Sequence, residues 1–261
     1  MMKKRRILVS LAGLGLALGL VPALGASSGA ADPPATVTVV HGIPSVGNVD
    51  VCVGSTALLS DVAFKGVATI SVPAGTYDLT VNAAATPACS GAVAISAPGT
   101  VVPAGANVTA IANIAGGTPN LAIFANDVSP VAAGSGRVAV YHAANAPAVD
   151  ILVNGGAGIS NLTQKTVQSA DVPTAAYDFT VTPAGTPGTT VLDLPNVTVP
   201  AGKLLQVFAV GAVPDAGRTN PFQVITNTID LATTPATTAP PATMPPASAA
   251  TPTAANPAMT G

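Results

Sequence analysis

The chain repeats itself at a nearly fixed distance, and an internal repeat decides the fold of both copies at once. "VTVVHGIPSVGNVDVCV" from Val37 aligns with "VAVYHAANAPAVDILV" from Val138, which sets His41 against His142 and, after a one-residue gap, Asp50 against Asp150. "LLSDV" from Leu58 then meets "GISNL" from Gly158, and "VPAGTYDLTV" from Val72 meets "VPTAAYDFTV" from Val172, an offset of 100 that pairs Tyr77 with Tyr177 and Asp78 with Asp178. "VVPAGANVTAIA" from Val101 matches "TVPAGKLLQVFA" from Thr198, and each copy closes on an apolar run, "LAIFAN" or "FQVITN". The copies span residues 36–128 and 137–231, joined by a linker at 129–136 and preceded by a short linker at 32–35.

Each copy has the size of one sandwich domain, ~100 residues. Within copy one, short alternating apolar runs fall at residues 37–41, 49–53, 62–64, 67–72, 77–82, 93–102 and 108–114, with 121–126 closing. Gly, Pro, Asn and Asp separate them, the punctuation of strands joined by turns. Period-two alternation predicts one face in and one face out, so Val49, Val51 and Val53 share a side and Asp50 and Cys52 take the other. All eleven acidic residues are Asp, and a chain without Glu that is rich in Val and Thr favours strands and turns over helices. The expected fold is all-β: two tandem immunoglobulin-like or Greek-key β-sandwich domains.

The flanks differ in kind from the repeats. Lys3, Lys4, Arg5 and Arg6 precede an uncharged apolar stretch at 7–24 and then small residues, the layout of a signal peptide, with cleavage expected after Ala31. A retained membrane anchor is the competing reading, and the glycines, Pro22 and small-residue exit weigh against it. No Cys lies near that exit for lipid attachment. Residues 232–261 hold ten Ala, eight Thr and seven Pro and no charge, so they cannot bury a core and read as a disordered spacer. Removing residues 1–31 leaves five basic residues against eleven acidic ones, a net charge of −6. The remaining cations, Lys65, Arg137, Lys165, Lys203 and Arg218, are scattered, which excludes a nucleic-acid binder.

Cys52 and Cys89 are the only cysteines, and in an exported chain they are expected to pair as a disulfide. Gly75 in "PAGTY" supports a turn beyond which Tyr77 resembles the tyrosine corner of Greek-key sandwiches; an ordinary core-edge tyrosine is the alternative. Copy two keeps Tyr177 but carries Thr174 and Ala175, so a different turn is expected there.

The repeated "VHGIPSVGNVDVCV" and "YHAANAPAVDILVNG" resemble the bacterial family called domain of unknown function 4397, whose motif is a strand ending in His, a Pro/Ala-rich turn and a second strand. Copy two follows it through His142, Ala146, Pro147, Ala148, Val149 and Asp150, with Asn145 in place of an acidic residue. Copy one departs further, with an extra residue and "SVGN" in the turn. The resemblance implies an exported β-sandwich, often in tandem, and implies no activity.

His and Asp form the only recurring polar constellation: His41 with Asp50, and His142 with Asp150. If their strands pair, each imidazole would donate to its carboxylate and orient a ligand. The alternative is that each residue ties down its own turn, since a closed metal site needs about four ligands. No catalytic motif is present: no G-x-S-x-G, H-E-x-x-H or P-loop. The absence of Trp removes the usual stacking platform for sugars. The sequence therefore predicts a monomeric, non-catalytic exported or envelope module with no metal and no cofactor, whose partner is a protein or an envelope polymer. Weak ligand, carbohydrate or metal binding through the His/Asp turns is the alternative.

Overall fold

A computed structural model describes residues 32–213 and 221–234. The expected signal peptide at 1–31, Arg218 and residues 235–261 of the expected spacer lie outside them. The first half contains β1 (Ala35–His41), β2 (Val49–Val53), β3 (Thr56–Val62), β4 (Val67–Val72), β5 (Gly75–Ala83), β6 (Val93–Val102), β7 (Asn107–Ala115) and β8 (Thr118–Ala125). After β9 (Val131–Ala132) the second half contains β10 (Ser135–His142), β11 (Val149–Val153), β12 (Gly156–Leu162), β13 (Val167–Pro173), β14 (Ala175–Pro183), β15 (Leu192–Val199), β16 (Lys203–Val210) and β17 (Gln223–Asp230), followed by β18 (Thr233–Thr234). Among the described residues there is no helix.

The first half pairs its strands in two sheets, β4-β1-β7-β8 and β3-β2-β5-β6; the second half uses β13-β10-β16-β17 and β12-β11-β14-β15, the same order strand for strand. β1 runs parallel to β7 and β10 parallel to β16, while the other pairings within these four sheets are antiparallel. This order corrects the immunoglobulin-like expectation. There the first strand lies beside the second, whereas β1 lies between β4 and β7 and β2 belongs to the opposite sheet.

The run expected at 62–64 is instead a longer strand, Thr56–Val62, that turns straight back from β2. Gly54 makes that turn possible with φ +58°, and Asn154 and Gly155 make its counterpart with φ +50° and +75°, the conformation of a tight hairpin. The sheets of each half enclose an apolar layer: Val37, Val39, Val51, Val72, Val102 and Ala110 in the first, and Val138, Val140, Ile151, Val181, Leu205 and Val207 in the second.

A third apolar layer joins the halves. Val40, Ile111 and Phe124 point out of the first half's sandwich, and Ala139, Tyr141, Leu204, Phe208 and Val210 point out of the second's; together they form one buried cluster. Successive residues of β1 and β10 thus serve different cores, Val39 and Val140 inward within their halves and Val40 and Tyr141 toward the other half. The expectation of one solvated face therefore fails for β1, β7, β10 and β16, whose burial is nearly continuous. Strands covered on both faces read as near-continuous apolar runs, as "KLLQVFAV" does apart from Lys203 and Gln206.

A buried polar cluster sits within this layer. The Gln206 amide donates to Thr109 Oγ1 and Tyr141 Oη, both at 2.9 Å, and the Tyr141 hydroxyl donates to Asn126 Oδ1 at 2.7 Å. Asn227, in the same half as Gln206, donates to Gln206 Oε1 at 2.9 Å, while Gln206 and Tyr141 reach Thr109 and Asn126 of the first half. Nearby, Asn113 donates to the Ala143 carbonyl at 2.8 Å. A Cβ on Gly42 would lie 2.7 Å from Val210 Cγ1, so only glycine lets the backbone of β1's end approach the second half.

The segment between the halves is pinned rather than loose. Arg137 is 5% exposed and holds Asp171 through Nε and Nη2, at 2.6 and 3.0 Å. Its Nη1 donates to the Asp127 and Ser129 carbonyls. The Arg–carboxylate fork is the strong, geometry-fixing form of such a pair. Thr233 and Thr234, expected to belong to the disordered spacer, instead form β18 beside β9.

The shared layer predicts cooperative unfolding. Phe208→Ala is expected to cost about 3–5 kcal/mol in urea titrations, with circular dichroism and tyrosine fluorescence tracing one coincident transition. Two resolved transitions in the unmodified protein would contradict the shared core.

Candidate functional site

The recurring His and Asp residues lie at the end of each sandwich where β1 passes to β2 and β10 to β11. β1 and β2 belong to different sheets, and so do β10 and β11. The direct imidazole–carboxylate hydrogen bond considered from the sequence is therefore not made, and each side chain has other partners.

His41 is 1% exposed. Its Nδ1 accepts from the Ile43 N–H at 3.4 Å, which leaves Nε2 as the donor to the Gly47 carbonyl at 2.9 Å. His142, equally buried, places Nε2 3.0 Å from the Pro147 carbonyl. Each imidazole spans the turn that follows it. Burial holds both rings below the ordinary histidine value, so they stay neutral near pH 7.

Asp50 and Asp150 stitch loops of the outer sheets together. Asp50 Oδ1 accepts from the Asp61 N–H at 2.9 Å, and its Oδ2 accepts from the N–H groups of Cys89 at 2.9 Å and Ala85 at 3.3 Å. Asp150 repeats this with Asn161 at 2.7 Å and Gly185 at 2.8 Å. Asp61 and Asn161 adopt φ of +56° and +52°, a region that Asp and Asn tolerate better than other side chains. Backbone donors, from Asp61 and Cys89 and from Asn161 and Gly185 respectively, hold both carboxyls below the usual carboxylate range.

Cys52 and Cys89 form a disulfide with a Cα–Cα separation of 6.0 Å, fastening β2 to the loop that Asp50 also holds. Asn82 adds to this by donating to the carbonyls of Cys89 and Gly91, at 3.2 and 3.1 Å. Tyr77 and Tyr177 each donate to a carbonyl four residues back, Pro73 and Pro173, both at 2.8 Å. The expected difference between these two turns is absent. A Cβ on Gly75 would meet the Tyr77 ring at an ordinary 3.5 Å, so Ala175 fits the same geometry.

Asp78 and Asp178 hold bulges in the neighbouring strands β6 and β15, and the sequence aligned them without giving them a role. Asp78 accepts from the Gly99 N–H at 2.8 Å and Asp178 from the Asn196 N–H at 2.7 Å, where φ is +66° and +62°. Their repetition at the common offset was the available signal. An open depression of about 440 Å³ borders Asp50, Ser60, Asp61 and Thr86, but the Asp50 oxygens facing the loops are already engaged. Among the described residues no three His, Cys, Asp or Glu side chains gather as a metal site would require.

The geometry defines a class: an all-β protein of paired sandwich-like sheets whose repeated polar residues hold turns and loops. Residues 35–152 match the family described as Domain of unknown function (DUF4397). The match starts with β1 and ends within β11, so it takes in both His/Asp pairs. No curated protein matches the chain in sequence. Among solved structures, a "putative cell adhesion protein" from Bacteroides eggerthii DSM 20697 aligns at 11% identity over 79% of this chain and 98% of its own, with a TM-score of 0.21. So distant a likeness carries nothing about function.

The loop closed by the disulfide has a sequence separation of 37, for which chain entropy gives a stabilisation of about 2–4 kcal/mol. A Cys52→Ala, Cys89→Ala double variant is expected to lose that amount in denaturant titration. Thiol titration of denatured, unreduced protein should read near zero.

Proton linkage fixes a pH dependence. Because the folded-state pKa of His41 and His142 lies below 6.5, the unfolded chain binds protons first, and stability present above that value falls as pH drops through it. A second loss is expected below the ordinary carboxylate value of 3.8, as Asp50 and Asp150 protonate in the folded state. Equal stability at pH 7.5 and pH 5 would refute the upper step, and a His41→Gln, His142→Gln double variant should remove it.

Proposed function

We propose that this protein is a non-catalytic, exported or cell-envelope-associated module made of two tandem copies of the family domain, acting in interaction or spacing. The observation that carries the reading is how the recurring polar groups are spent: His41, His142, Asp50, Asp150, Asp78 and Asp178 all bind main chain of turns, loops or strand bulges. A general acid or base must reach a substrate proton, and carboxylates committed to backbone N–H groups are poorly placed for that.

Three further features support the reading. The strand orders of the two halves correspond, as duplicated domains would. The disulfide suits an oxidising compartment. The halves share a buried layer, giving a rigid body able to hold its exposed loops at a set distance. The expected signal peptide, cleaved after Ala31, and the Pro/Thr/Ala segment complete the proposal: export at one end, a spacer at the other.

Fractionation of the native host tests the location, with the protein expected in the envelope or medium, oxidised and starting at Asp32. Recovery from the cytoplasm with free thiols would overturn it. For the non-catalytic claim, polysaccharide and ester substrates should show no turnover above background. Hydrolysis that disappears in a His142→Ala, Asp150→Ala double variant would replace this reading with an enzymatic one.

A further inference from the structure

The two halves match in topology but differ in how they fill the space between their sheets, at the edge where β3 meets β4 and β12 meets β13. In the first half that space is a residual cavity of about 40 Å³, lined by Leu58, Ile70, Val72, Tyr77 and Leu79 among others. The counterpart in the second half is an open cleft of about 300 Å³, lined by Val153, Gly158, Ile159, Ala170, Tyr177 and Phe179 among others. At the repeat offset Gly158 stands where Leu58 does, and Ala170 where Ile70 does. An isobutyl group is missing at one position, and a sec-butyl group is reduced to methyl at the other.

Protein interiors are ordinarily packed to crystal density, and the first half shows that this edge can be closed within the same strand order. The second half leaves it open, at the lower end of the size range of small-molecule sites, roughly 300–1,000 Å³. Its walls determine the ligand chemistry. No charged side chain lines the cleft, and the phenol hydroxyl of Tyr177 is already donated to the Pro173 carbonyl at 2.8 Å. A charged group inside would be desolvated without a partner. At the mouth, β12 and β13 are edge strands, paired on one side only with β11 and β10, so main-chain polar groups border the opening.

We propose that the cleft between β12 and β13 is a binding site for a slim, uncharged apolar molecule, such as a medium-length alkyl chain with a hydroxyl or ester end. The alkyl part lies against Val153, Ile159, Tyr177 and Phe179, and the polar end stays at the edge strands. The proposal goes beyond the interaction or spacer reading and does not depend on it, because ligand binding here involves none of the His or Asp residues.

The whole oxidised protein is titrated with the uncharged fluorophore N-phenyl-1-naphthylamine and then with 1-decanol as competitor. Saturable fluorescence at a single site per chain, displaced by 1-decanol, is expected. Ala170→Ile copies the first half's residue into the cleft and should weaken binding about tenfold or more, from losing contact with roughly two methylene groups. Ala170→Ser keeps the space and should bind within about twofold of the unmodified protein, the change a small polar swap at the rim would cause. Gly158 is not substituted, because a Cβ there would lie 2.6 Å from the Ile151 carbonyl oxygen.

Thermal melts establish that both variants are folded. Should Ala170→Ile fail to fold, methyl NMR of the unmodified protein decides. Shifts on adding 1-decanol that cluster at Val153, Ile159 and Val172 support the site. Absence of saturable binding, undiminished affinity in folded Ala170→Ile, or shifts confined to the first half would overturn it.

Discussion

The structure depends on two sheets whose central strands, β1 and β7 in one and β10 and β16 in the other, are buried on both faces. The sheets containing β1 and β7 and containing β10 and β16 each serve as one wall of their own sandwich and as one side of the layer between halves. The alternating side chains of those four central strands therefore have no solvent face to fall back on. Apolar burial supplies the attraction there, worth roughly 25 cal/mol per Å², but it does not by itself choose a register. The polar cluster around Gln206 does, because Thr109, Tyr141, Asn126 and Asn227 are satisfied together only when the two halves meet in one way. Buried polar groups without partners are costly, so a slipped arrangement is penalised more than a missing apolar contact would be.

The same arrangement explains the chemistry at the sandwich ends. With its central strands covered, the protein exposes mainly the outer sheets, their edges and the loops, and the outer sheets carry strand bulges with positive φ at Asp61, Asn161, Gly99 and Asn196. Each such bulge is held by a carboxylate on the neighbouring strand, Asp50, Asp150, Asp78 or Asp178. Those carboxylates act as fasteners for main chain. The lowered pKa values of Asp50 and Asp150 record that use and need no catalytic explanation.

The shared strand order lets the halves serve as controls for one another. Where they agree, as in the tyrosine hydroxyls donated to Pro73 and Pro173, the feature belongs to the fold. Where they differ, the change is local and interpretable. The disulfide fastens only the first half's Asp50 loop, and the small residues Gly158 and Ala170 open only the second half's edge. The asymmetry suits a division of labour, one half rigidified and the other hollowed.

Much of this was legible in the sequence, because valine-rich alternation, Gly/Pro punctuation and a repeat offset are local properties that survive without coordinates. Strands β2, β4 and β6 fall where the apolar runs place them, and Cys52 and Cys89 pair as two cysteines in an exported chain would. The sequence also named His41, Asp50, His142 and Asp150, but their roles depend on which sheet each strand joins. That is a pairing between residues far apart in the chain, which no local pattern records. Tertiary structure alone decided that β1 lies beside β7 and not β2, that Tyr141 and Gln206 meet between the halves, and that Ala170 faces a cleft while Ile70 closes one. The physical reason is common to all three: a side chain's period fixes which way it points, and only the packing of distant strands fixes what it meets.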